Sequence, residues 1–485
     1  MKRYYIKTFW CAMNQADSEK INMILLQSWF MLTNDWKSAD LIIFNTCSVR
    51  QKWEDKVFWF IEEIYRENKH KLEKWSADLI KVWITGCMVR KTWIDWRYLD
   101  EYKRDKNKSK KITTIKEDSE IFNNDDKLFP RNNWKLDFVL RIEDTKFLPL
   151  ILTHIYWENI GVEYKFDDYL KSKQLRENPF SATIIIQTWC DNYCTFCIVP
   201  YTRWKENSRD IEDIVNEAKE AVAWWAKEIT LVWQNVNSYW KHFVDKKFWN
   251  EEKWKWNEWL GKSPFRELLE KLDKIDWLDR IRFTSSNPHD MTQDILDAHF
   301  DLNKTCNYLH FALQSWSDEM LKKMNRKHSY ETFKKQVNYL RSKDPEFSIS
   351  TDIIVWFSWE TKEMFDDTVI AFRECEFDFT YNARYSVRKG TIASKIYPDD
   401  ISNEIKAERW HTLNDELLKS ITKRNTNLIW SVQEVLISGQ KDDYFSWRTR
   451  SFKEVHIKSD KLKIGDLVKV KITEIERYVL NWELI

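Results

Sequence analysis

The segment TIIIQTWCDNYCTFCIVPYTRWK, residues 183–205, joins an apolar run of β-branched residues to three closely spaced cysteines, Cys190, Cys194 and Cys197. The apolar run predicts a buried β-strand. The thiols follow directly after it, and α/β folds carry their reactive side chains beyond the carboxyl ends of strands. We therefore expect the loop after this strand to carry chemistry.

Five further strand patterns follow this segment, with helical patterns between them. The six predicted strands are residues 182–188, 228–233, 281–286, 308–313, 348–355 and 377–386. The helix signals include one apolar face along residues 210–222 and, at residues 263–275, Ser263 as N-cap before Pro264. Six strand–helix units predict an α/β fold with an incomplete (β/α)6 barrel over residues 179–420.

The N-terminal part, residues 1–120, shows the same alternation on a smaller scale. Strand patterns at residues 3–9, 39–46 and 78–86 predict a second parallel α/β domain. A cysteine follows each strand; these are Cys11, Cys47 and Cys87. Carboxyl ends of parallel strands meet at one edge of a sheet, so the three thiols are expected to come together there. The alternative is three unrelated buried thiols, because cysteine is a common core residue.

Two further segments complete the chain. Residues 121–178 form a polar stretch with little periodicity and are interpreted as a connector. Residues 424–485 carry strand patterns alone, which predicts a small all-β barrel of a kind that binds nucleic acid. Four basic residues of this barrel are candidates for phosphate contacts, with solvated strand faces as the alternative: Arg448, Arg450, Lys469 and Lys471.

Composition limits the roles of the 8 cysteines. No stretch approaches 18 uncharged apolar residues, and the first residues lack the apolar middle of a signal peptide. We expect a cytoplasmic protein, in which thiols stay reduced, so the cysteines are interpreted as ligands or catalytic groups and not as a disulfide framework. The net charge of +1 argues neither for nor against nucleic-acid binding.

The spacing of Cys190, Cys194 and Cys197 favours an iron–sulfur cluster. Structural zinc usually takes four ligands, often as two Cys-x-x-Cys pairs, and a second pair is missing near this loop. Three close thiolates suit a four-iron, four-sulfur cluster with one iron left open. A zinc site remains the alternative.

The glycine and tryptophan contents are unusual. The chain has 6 Gly and 29 Trp, whereas glycine is normally about 7% of residues and supplies the left-handed turns. Tryptophan stands where glycine is expected at several positions, including Trp10, Trp189, Trp204, Trp316, Trp356 and Trp359. We hypothesise that many of these residues are glycines in an organism that reads UGA as glycine. A truly tryptophan-rich protein is the alternative.

Eight motifs run in order along nearly the whole chain: IKTFWCAMNQADSE, FNTCSVR, TGCMVRK, CDNYCTFCIVPYTRWKE, LVWQNVNSY, RIRFTSSNP, LQSWSDEMLKKMNRKHS and STDIIVWFSWET. Together they resemble the methylthiotransferases of the radical S-adenosylmethionine (SAM) superfamily, and most closely the MiaB-type tRNA enzymes. The resemblance implies an N-terminal methylthiotransferase domain, a radical SAM barrel and a C-terminal TRAM domain. The main departures are tryptophans where the family has glycine.

The resemblance also implies cofactors and site residues. Cys190, Cys194 and Cys197 would hold the [4Fe-4S] cluster whose open iron binds SAM. Cys11, Cys47 and Cys87 would hold an auxiliary [4Fe-4S] cluster that presents the sulfur. Candidate polar contacts to SAM lie at strand ends, with ordinary capping as the alternative: Gln234, Asn235, Gln314 and Ser315.

Arg203 and Arg326 are candidates to pair with a carboxylate or phosphate, with surface roles as the alternative. No catalytic residue is expected beyond the cluster ligands.

The expected reaction is methylthiolation at carbon 2 of an isopentenylated adenosine beside the anticodon of tRNA. The expected partners are tRNA and a flavodoxin- or ferredoxin-like electron donor, with no membrane, and the protein is expected to be a monomer. Two alternatives use the same chemistry, on a threonylcarbamoyl-modified adenosine of tRNA or on an aspartate of a ribosomal protein. A third, from another class, is a non-catalytic protein that binds metal and RNA.

Overall fold

The computed structural model describes residues 1–485 apart from residues 10, 49–50, 77, 91–92, 95–96, 99–135, 157–168, 189, 204–206, 241–261, 442–443, 458–461, 477–478 and 485. The chain divides into two compact units. The first consists of Met1–Glu177, Thr188–Glu206 and Ser386–Ile396, and the second of Asn178–Gln187, Asn207–Tyr385 and Tyr397–Ile485. The three-domain boundaries expected from the sequence stay a prediction.

The helices are α1 (Ala12–Gln27), α2 (Gln51–Glu73), α3 (Leu148–Tyr156), α4 (Val199–Thr202), α5 (Ile211–Ala223), α6 (Pro264–Asp273), α7 (Gln293–Asp301), α8 (Asp318–Lys323), α9 (Tyr330–Lys343), α10 (Lys362–Cys375), α11 (Ile392–Ile396) and α12 (Asn403–Thr426). Among the helices of the described residues, none is both long enough and apolar enough to cross a membrane.

The strands are β1 (Arg3–Thr8), β2 (Met31–Leu32), β3 (Leu41–Thr46), β4 (Lys81–Gly86), β5 (Trp93–Ile94), β6 (Arg97–Tyr98), β7 (Phe138–Val139), β8 (Ser181–Ile185), β9 (Gln187–Thr188), β10 (Asn207–Ser208), β11 (Glu228–Val232), β12 (Arg280–Phe283), β13 (Tyr308–His310), β14 (Ser348–Val355), β15 (Phe379–Arg384), β16 (Val432–Lys441), β17 (Tyr444–Thr449), β18 (Glu454–Ile457), β19 (Leu467–Glu476) and β20 (Val479–Leu484).

The first unit is built on a seven-stranded sheet with the order β2-β1-β3-β4-β7-β5-β6. Strands β1, β3 and β4 are parallel neighbours, which confirms the predicted parallel sheet. All six residues of β3 are buried, because the central strand of a parallel sheet is covered on both faces. Strand β7 lies within residues 121–178, the segment interpreted as a connector, and pairs in the sheet between β4 and β5. A two-residue strand is too short to show a period.

Helix α1 begins directly after Cys11. The thiol of Cys11 accepts a hydrogen bond from the backbone N–H of Asn14 at 3.3 Å and so caps the helix. Apolar side chains such as Ile21 and Leu25 are buried, and so are several polar ones. A helix that is buried on its polar side as well lacks the single apolar face of an amphipathic surface helix.

The second unit contains the predicted six parallel strands. Strands β8, β11 and β12 form one three-stranded sheet, and β13, β14 and β15 form another. A parallel bridge between Ser286 and Phe311 connects the ends of β12 and β13. The predicted helix caps are confirmed for α6, where the Ser263 hydroxyl accepts from the N–H of Arg266 at 3.2 Å and Pro264 is the first helical residue. The α/β fold class is therefore confirmed.

The C-terminal strands close into a barrel with the order β16-β17-β18-β20-β19. Its core contains Val435, Ile437, Val455, Val470 and Leu480, each fully buried. This confirms the all-β prediction, and the assignment as a TRAM domain stays a prediction.

Two buried arginines of β12 connect this barrel to the parallel strands of the same unit. Arg280 donates to the carbonyl of Arg448 at 2.9 Å, and Arg282 donates to the carbonyls of Thr449 and Arg450 at 2.7 and 2.8 Å. Arg450 itself donates to the carbonyl of Asn303 at 2.8 Å, so this predicted phosphate contact is used within the protein.

Candidate metal centres

The first set of thiols lies at one edge of the N-terminal sheet. Thr46 of β3 pairs with Gly86 of β4, so Cys47 and Cys87 follow directly on two paired residues. Cys11 comes three residues after the last residue of β1, the other neighbour of β3. The placement of the three cysteines beyond the carboxyl ends of adjacent parallel strands is thus as predicted.

The backbone holds Cys87 against the end of β3. Its N–H donates to the carbonyl oxygen of Thr46 at 2.9 Å. Gly86, directly before it, has a φ of 89°, and a Cβ atom there would lie 2.4 Å from the same carbonyl oxygen. Only glycine fits so close an approach in the left-handed region. The turn into Cys87 therefore depends on the absence of a side chain.

The protein environment alone disfavours a charged thiolate at Cys11, while the other two thiols of this set are buried. Cys47 is 1% exposed and Cys87 is 7% exposed. Burial raises the pKa of the Cys11 thiol to about 12; the nearby Cys87 also raises it, and the guanidinium of Arg203 lowers it. Positively charged iron would favour the thiolate form, because metal binding deprotonates coordinating thiols.

The second set of thiols lies on the loop before α4, within the first unit. The N–H of Cys197 donates to the carbonyl of Cys194 at 2.9 Å, which forms a tight turn between them. The side-chain amide of Asn192 approaches the Cys190 sulfur at 3.6 Å. The three cysteines are all partly exposed.

Both sets fit a four-iron cluster by the chemistry of their donors. None of the eight cysteines, all within the described residues, forms a disulfide. In the described part of the chain, no three His, Cys, Asp or Glu side chains converge closely enough to hold a single metal ion. A four-iron cube takes one thiolate on each iron, so its ligands need not converge on one point. The remaining two cysteines, Cys306 and Cys375, are 1% exposed and belong to the core.

Arg203 follows directly after α4 and is not at the surface. Its Nη2 lies 2.6 Å from Oδ2 of Asp17 on α1, and the two side chains are 2% and 0% exposed. The hydroxyl of Tyr169 donates to Oδ1 of the same carboxylate. Burial alone lowers the pKa of the guanidinium, but Asp17, Cys87, Tyr169 and Glu143 together raise it well above its ordinary value, so Arg203 stays charged. The surface alternative for Arg203 is therefore wrong, because its partner is a buried carboxylate of the protein, and its pairing with a carboxylate or phosphate of a ligand stays a prediction.

The predicted SAM contacts belong to the second unit. Asn235 follows β11 and donates to Oδ2 of Asp290 at 2.7 Å. Gln314 has a φ of 78°, and its backbone bridges to β14. Ser315 is 2% exposed, and its hydroxyl has no hydrogen-bond partner among the described residues. Gln234 is half-buried beside Asn235. Their contact with SAM stays a prediction.

Three buried polar residues of the first unit went unnoticed in the sequence: Asn14, Asp17 and Tyr169. Asn14 and Asp17 are three positions apart and therefore share one helix face. This spacing, directly after Cys11, is the only signal for them in the sequence. Nothing in the polar segment around Tyr169 indicates that its hydroxyl reaches α1.

Two family descriptions match the sequence. Residues 184–370 match the radical SAM superfamily, and residues 3–111 match the uncharacterized protein family UPF0004. The second match covers Cys11, Cys47 and Cys87, and the first covers Cys190, Cys194 and Cys197. Each cysteine set thus lies within a separate matched region.

Relatives that match along nearly their whole length are named tRNA-2-methylthio-N(6)-dimethylallyladenosine synthase. The protein of Carboxydothermus hydrogenoformans is 34% identical over 100% of this chain and 99% of its own length. That of Clostridium botulinum (strain Okra) is 33% identical over 99% of this chain and 96% of its own length. That of Alkaliphilus oremlandii is 33% identical over 100% and 93%.

Among solved structures, the radical S-adenosylmethionine methyltransferase TsrM of Kitasatospora setae, with cobalamin and a [4Fe-4S] cluster bound, is similar with a TM-score of 0.46. It is 12% identical, and the similarity covers 81% of this chain and 77% of that one.

Proposed function

We propose the function of this chain from one premise: it belongs to the family of the tRNA-2-methylthio-N(6)-dimethylallyladenosine synthases, which are radical SAM methylthiotransferases. The chain is an enzyme that adds a methylthio group to carbon 2 of N6-isopentenyladenosine beside the anticodon of tRNA. The observation that carries this conclusion is the full-length match at 34% identity to a relative named for that activity.

The two cysteine sets have separate tasks. When bound, the [4Fe-4S] cluster of Cys190, Cys194 and Cys197 supplies the electron that cleaves SAM, and the auxiliary cluster of Cys11, Cys47 and Cys87 supplies the site for sulfur. Three cysteines in each set leave one iron without a protein ligand. The partly exposed loop suits a small molecule that enters and leaves, and the burial of Cys47 and Cys87, two of the three thiols in the other set, suits a group that stays.

The protein contributes exclusion of water and fixed positions. Burial of Cys47 and Cys87 keeps solvent away from the reacting sulfur, and the buried Asp17–Arg203 pair fixes the chain after Cys197. A carbon radical removes hydrogen from many groups, so exclusion of competing donors is part of the reaction. We assign the SAM contacts to Gln234, Asn235, Gln314 and Ser315.

The partners follow from the reaction. The substrate is a tRNA, and the electron comes from a flavodoxin- or ferredoxin-like protein. We place the enzyme in the cytoplasm as a monomer without membrane attachment. The C-terminal barrel is the proposed TRAM domain, where the exposed Arg448 and Lys469 are available to phosphates.

Nucleoside mass spectrometry of tRNA from a deletion strain tests this function. We expect 2-methylthio-N6-isopentenyladenosine to disappear and the unmethylthiolated nucleoside to accumulate, with restoration by the intact gene. Unchanged methylthio-isopentenyladenosine would exclude the proposed target. Loss of a methylthiolated threonylcarbamoyladenosine, or of a methylthiolated ribosomal aspartate, would assign the enzyme to that target.

Metal analysis tests the cofactors independently of the tRNA. Anaerobically purified protein should contain about eight iron and eight sulfide per chain when both four-iron clusters are present. Zinc in place of iron, with no SAM cleavage after reduction, would favour the non-catalytic metal-binding alternative.

A further inference from the structure

Helix α1 carries two fully buried polar side chains, Asn14 and Asp17, each 0% exposed. Residues three positions apart lie on the same face of a helix. Both side chains make their contacts with other elements of the first unit, so this face joins several segments.

The side-chain amide of Asn14 connects the segments that precede two cysteines. Its Nδ2 donates to the carbonyl of Phe9 at 2.8 Å and to the carbonyl of Thr46 at 2.9 Å. Phe9 stands two residues before Cys11, and Thr46 stands directly before Cys47. The carbonyl of Thr46 also accepts the N–H of Cys87 at 2.9 Å. One amide group therefore lies at the junction of all three backbones of the first cysteine set.

Asp17 connects the same helix to the second cysteine set. Its carboxylate pairs with Arg203, which comes after Cys197 and the short helix α4, and it accepts the hydroxyl of Tyr169. Separation of a buried ion pair leaves an uncompensated charge, so the pair fixes the Arg203 segment to α1. The two contacts place both cysteine-bearing regions on one rigid element.

We propose that Asn14 and Asp17 are positioning residues that hold the two cysteine sets ready for their clusters. Asn14 fixes the backbones of Cys11, Cys47 and Cys87, and Asp17 fixes the loop of Cys190, Cys194 and Cys197 through Arg203. Outer groups that orient ligands are a general feature of metal sites and change metal affinity when they are removed. The inference rests on the proposed function for the identity of the clusters.

Asn14 is tested in a protein that holds only the auxiliary cluster, with Cys190, Cys194 and Cys197 all changed to Ala. Asn14→Ala removes the amide, and Asn14→Asp keeps its shape but removes the donor. Both should weaken iron binding about 10-fold or more, the usual effect of losing such an outer group, and should alter the electron paramagnetic resonance spectrum of the reduced cluster.

Asn68→Ala is the matched control for this experiment. Asn68 Nδ2 donates to the carbonyl of Ile80 at 2.8 Å, and its Oδ1 accepts the N–H of Ile80 at 2.8 Å, at the amino end of β4. It makes the same kind of contact in the same sheet at the opposite end from the cysteines. Iron affinity and spectrum should stay those of the parent. Equal iron affinity and equal spectra in the Asn14 variants and the parent would overturn the proposal.

Asp17 is tested in the complementary protein, with Cys11, Cys47 and Cys87 changed to Ala. Asp17→Asn and Arg203→Gln should change the spectrum that the reduced cluster shows on addition of SAM, and Arg203→Lys, which keeps the charge, should restore it in part. Parental spectra in Asp17→Asn and Arg203→Gln would overturn this assignment. Failure of the proposed function is distinguishable, because it appears as unchanged tRNA nucleosides in the deletion strain whatever these spectra show.

A second inference comes from backbone conformation. Fourteen non-glycine residues of the described part have positive φ, and eight of them are tryptophan. These are Trp29, Trp75, Trp225, Trp240, Trp277, Trp356, Trp359 and Trp430, with φ between 58° and 77°. A bulky side chain is a rare outlier in the left-handed region, because its Cβ crowds the following carbonyl.

Three of these tryptophans occupy the position after a helix where glycine is the usual residue. Trp29 follows α1, and the N–H of Phe30 returns to the carbonyl of Leu25 at 3.0 Å. Trp75 and Trp225 likewise lie two residues after α2 and α5, and the N–H of the next residue returns to the helix in the same way, from Ser76 to Lys71 and from Ala226 to Ala221. The three indoles are 69%, 96% and 73% exposed, so burial of the indole does not compensate for the strain.

We infer that the organism incorporates glycine at these eight positions, because it reads as glycine a codon that the standard nuclear code does not assign to glycine. Peptide mass spectrometry of the protein purified from its own organism should find glycine at residues 29, 75 and 225. Tryptophan in these peptides would overturn the inference. As a second measurement, a recombinant chain with the three exposed positions changed, Trp29→Gly, Trp75→Gly and Trp225→Gly, should unfold at a higher temperature than the chain with tryptophan. An equal or lower unfolding temperature would count against it.

Discussion

Arg203 and Asp17 form an ion pair that is almost completely shielded from solvent, with 2.6 Å between Nη2 and Oδ2. The two residues are 186 positions apart in sequence. The pair therefore connects helix α1, which begins after Cys11, to the chain that leaves the loop of Cys190, Cys194 and Cys197.

Asp17→Asn should lower the free energy of unfolding of the apoprotein by about 3–5 kcal/mol, because Arg203 is left as an unpaired buried charge. Chemical denaturation of the two proteins measures the difference. Asp366→Asn, which breaks the exposed pair with Lys362, is the control and should leave the unfolding free energy nearly unchanged. Equal effects of the two substitutions would contradict the buried pairing.

Cys194→Ala should abolish SAM cleavage, because two remaining thiolates do not retain the cluster of that loop. The measurement is 5′-deoxyadenosine formed after reduction under anaerobic conditions. Cys375→Ala is the control: this thiol is 1% exposed in the core of the second unit, so its loss should leave cleavage intact. Residual cleavage by Cys194→Ala near the parental level would exclude the proposed ligand role.

Cys47→Ala should retain part of the SAM cleavage but form no methylthio product, because the two cysteine sets hold separate clusters. Parallel assays of 5′-deoxyadenosine and of methylthiolated tRNA nucleoside separate the two activities. Full methylthiolation by this variant would show that the auxiliary site is assigned to the wrong residues.

Glu360 should make stability depend on pH. Burial raises its pKa from 4.5 to about 7, although the N–H of Trp356 and the charge of Arg409 oppose the shift. The folded state therefore keeps the proton to higher pH than the unfolded chain does. The free energy of unfolding should fall as pH rises from about 4.5 to 7, by about 3 kcal/mol in total.

Glu360→Gln should remove this slope, and denaturation at pH 5 and pH 7.5 measures it. Glu220→Gln, at an exposed position of α5, is the control and should keep the parental slope. A parental slope in Glu360→Gln would exclude this carboxyl as the source.

Local patterns were sufficient for much of the fold and for the six cysteines. The strand ends before Cys47 and Cys87 are visible as short apolar runs, and parallel strands share an edge, so their proximity follows from connectivity. The helix N-cap at Ser263 could also be predicted from the sequence, because the capping hydrogen bond joins residues only three positions apart. The contacts of Asn14 could not be predicted from the sequence, because its side chain bonds to the backbone carbonyls of Phe9 and Thr46. Every residue has such a carbonyl, so the sequence does not distinguish these two.

The sequence by itself determined the order of strands and helices, the two sets of three cysteines and the family, because these depend on spacing along the chain. Only the tertiary structure shows that Tyr169 contacts Asp17 and that Arg203 is buried beside it. It also shows the left-handed backbone conformation at Trp75. Such features depend on which distant segments the packed sheet and helices bring together. The identity of a polar residue in the sequence does not indicate which distant residue it will contact.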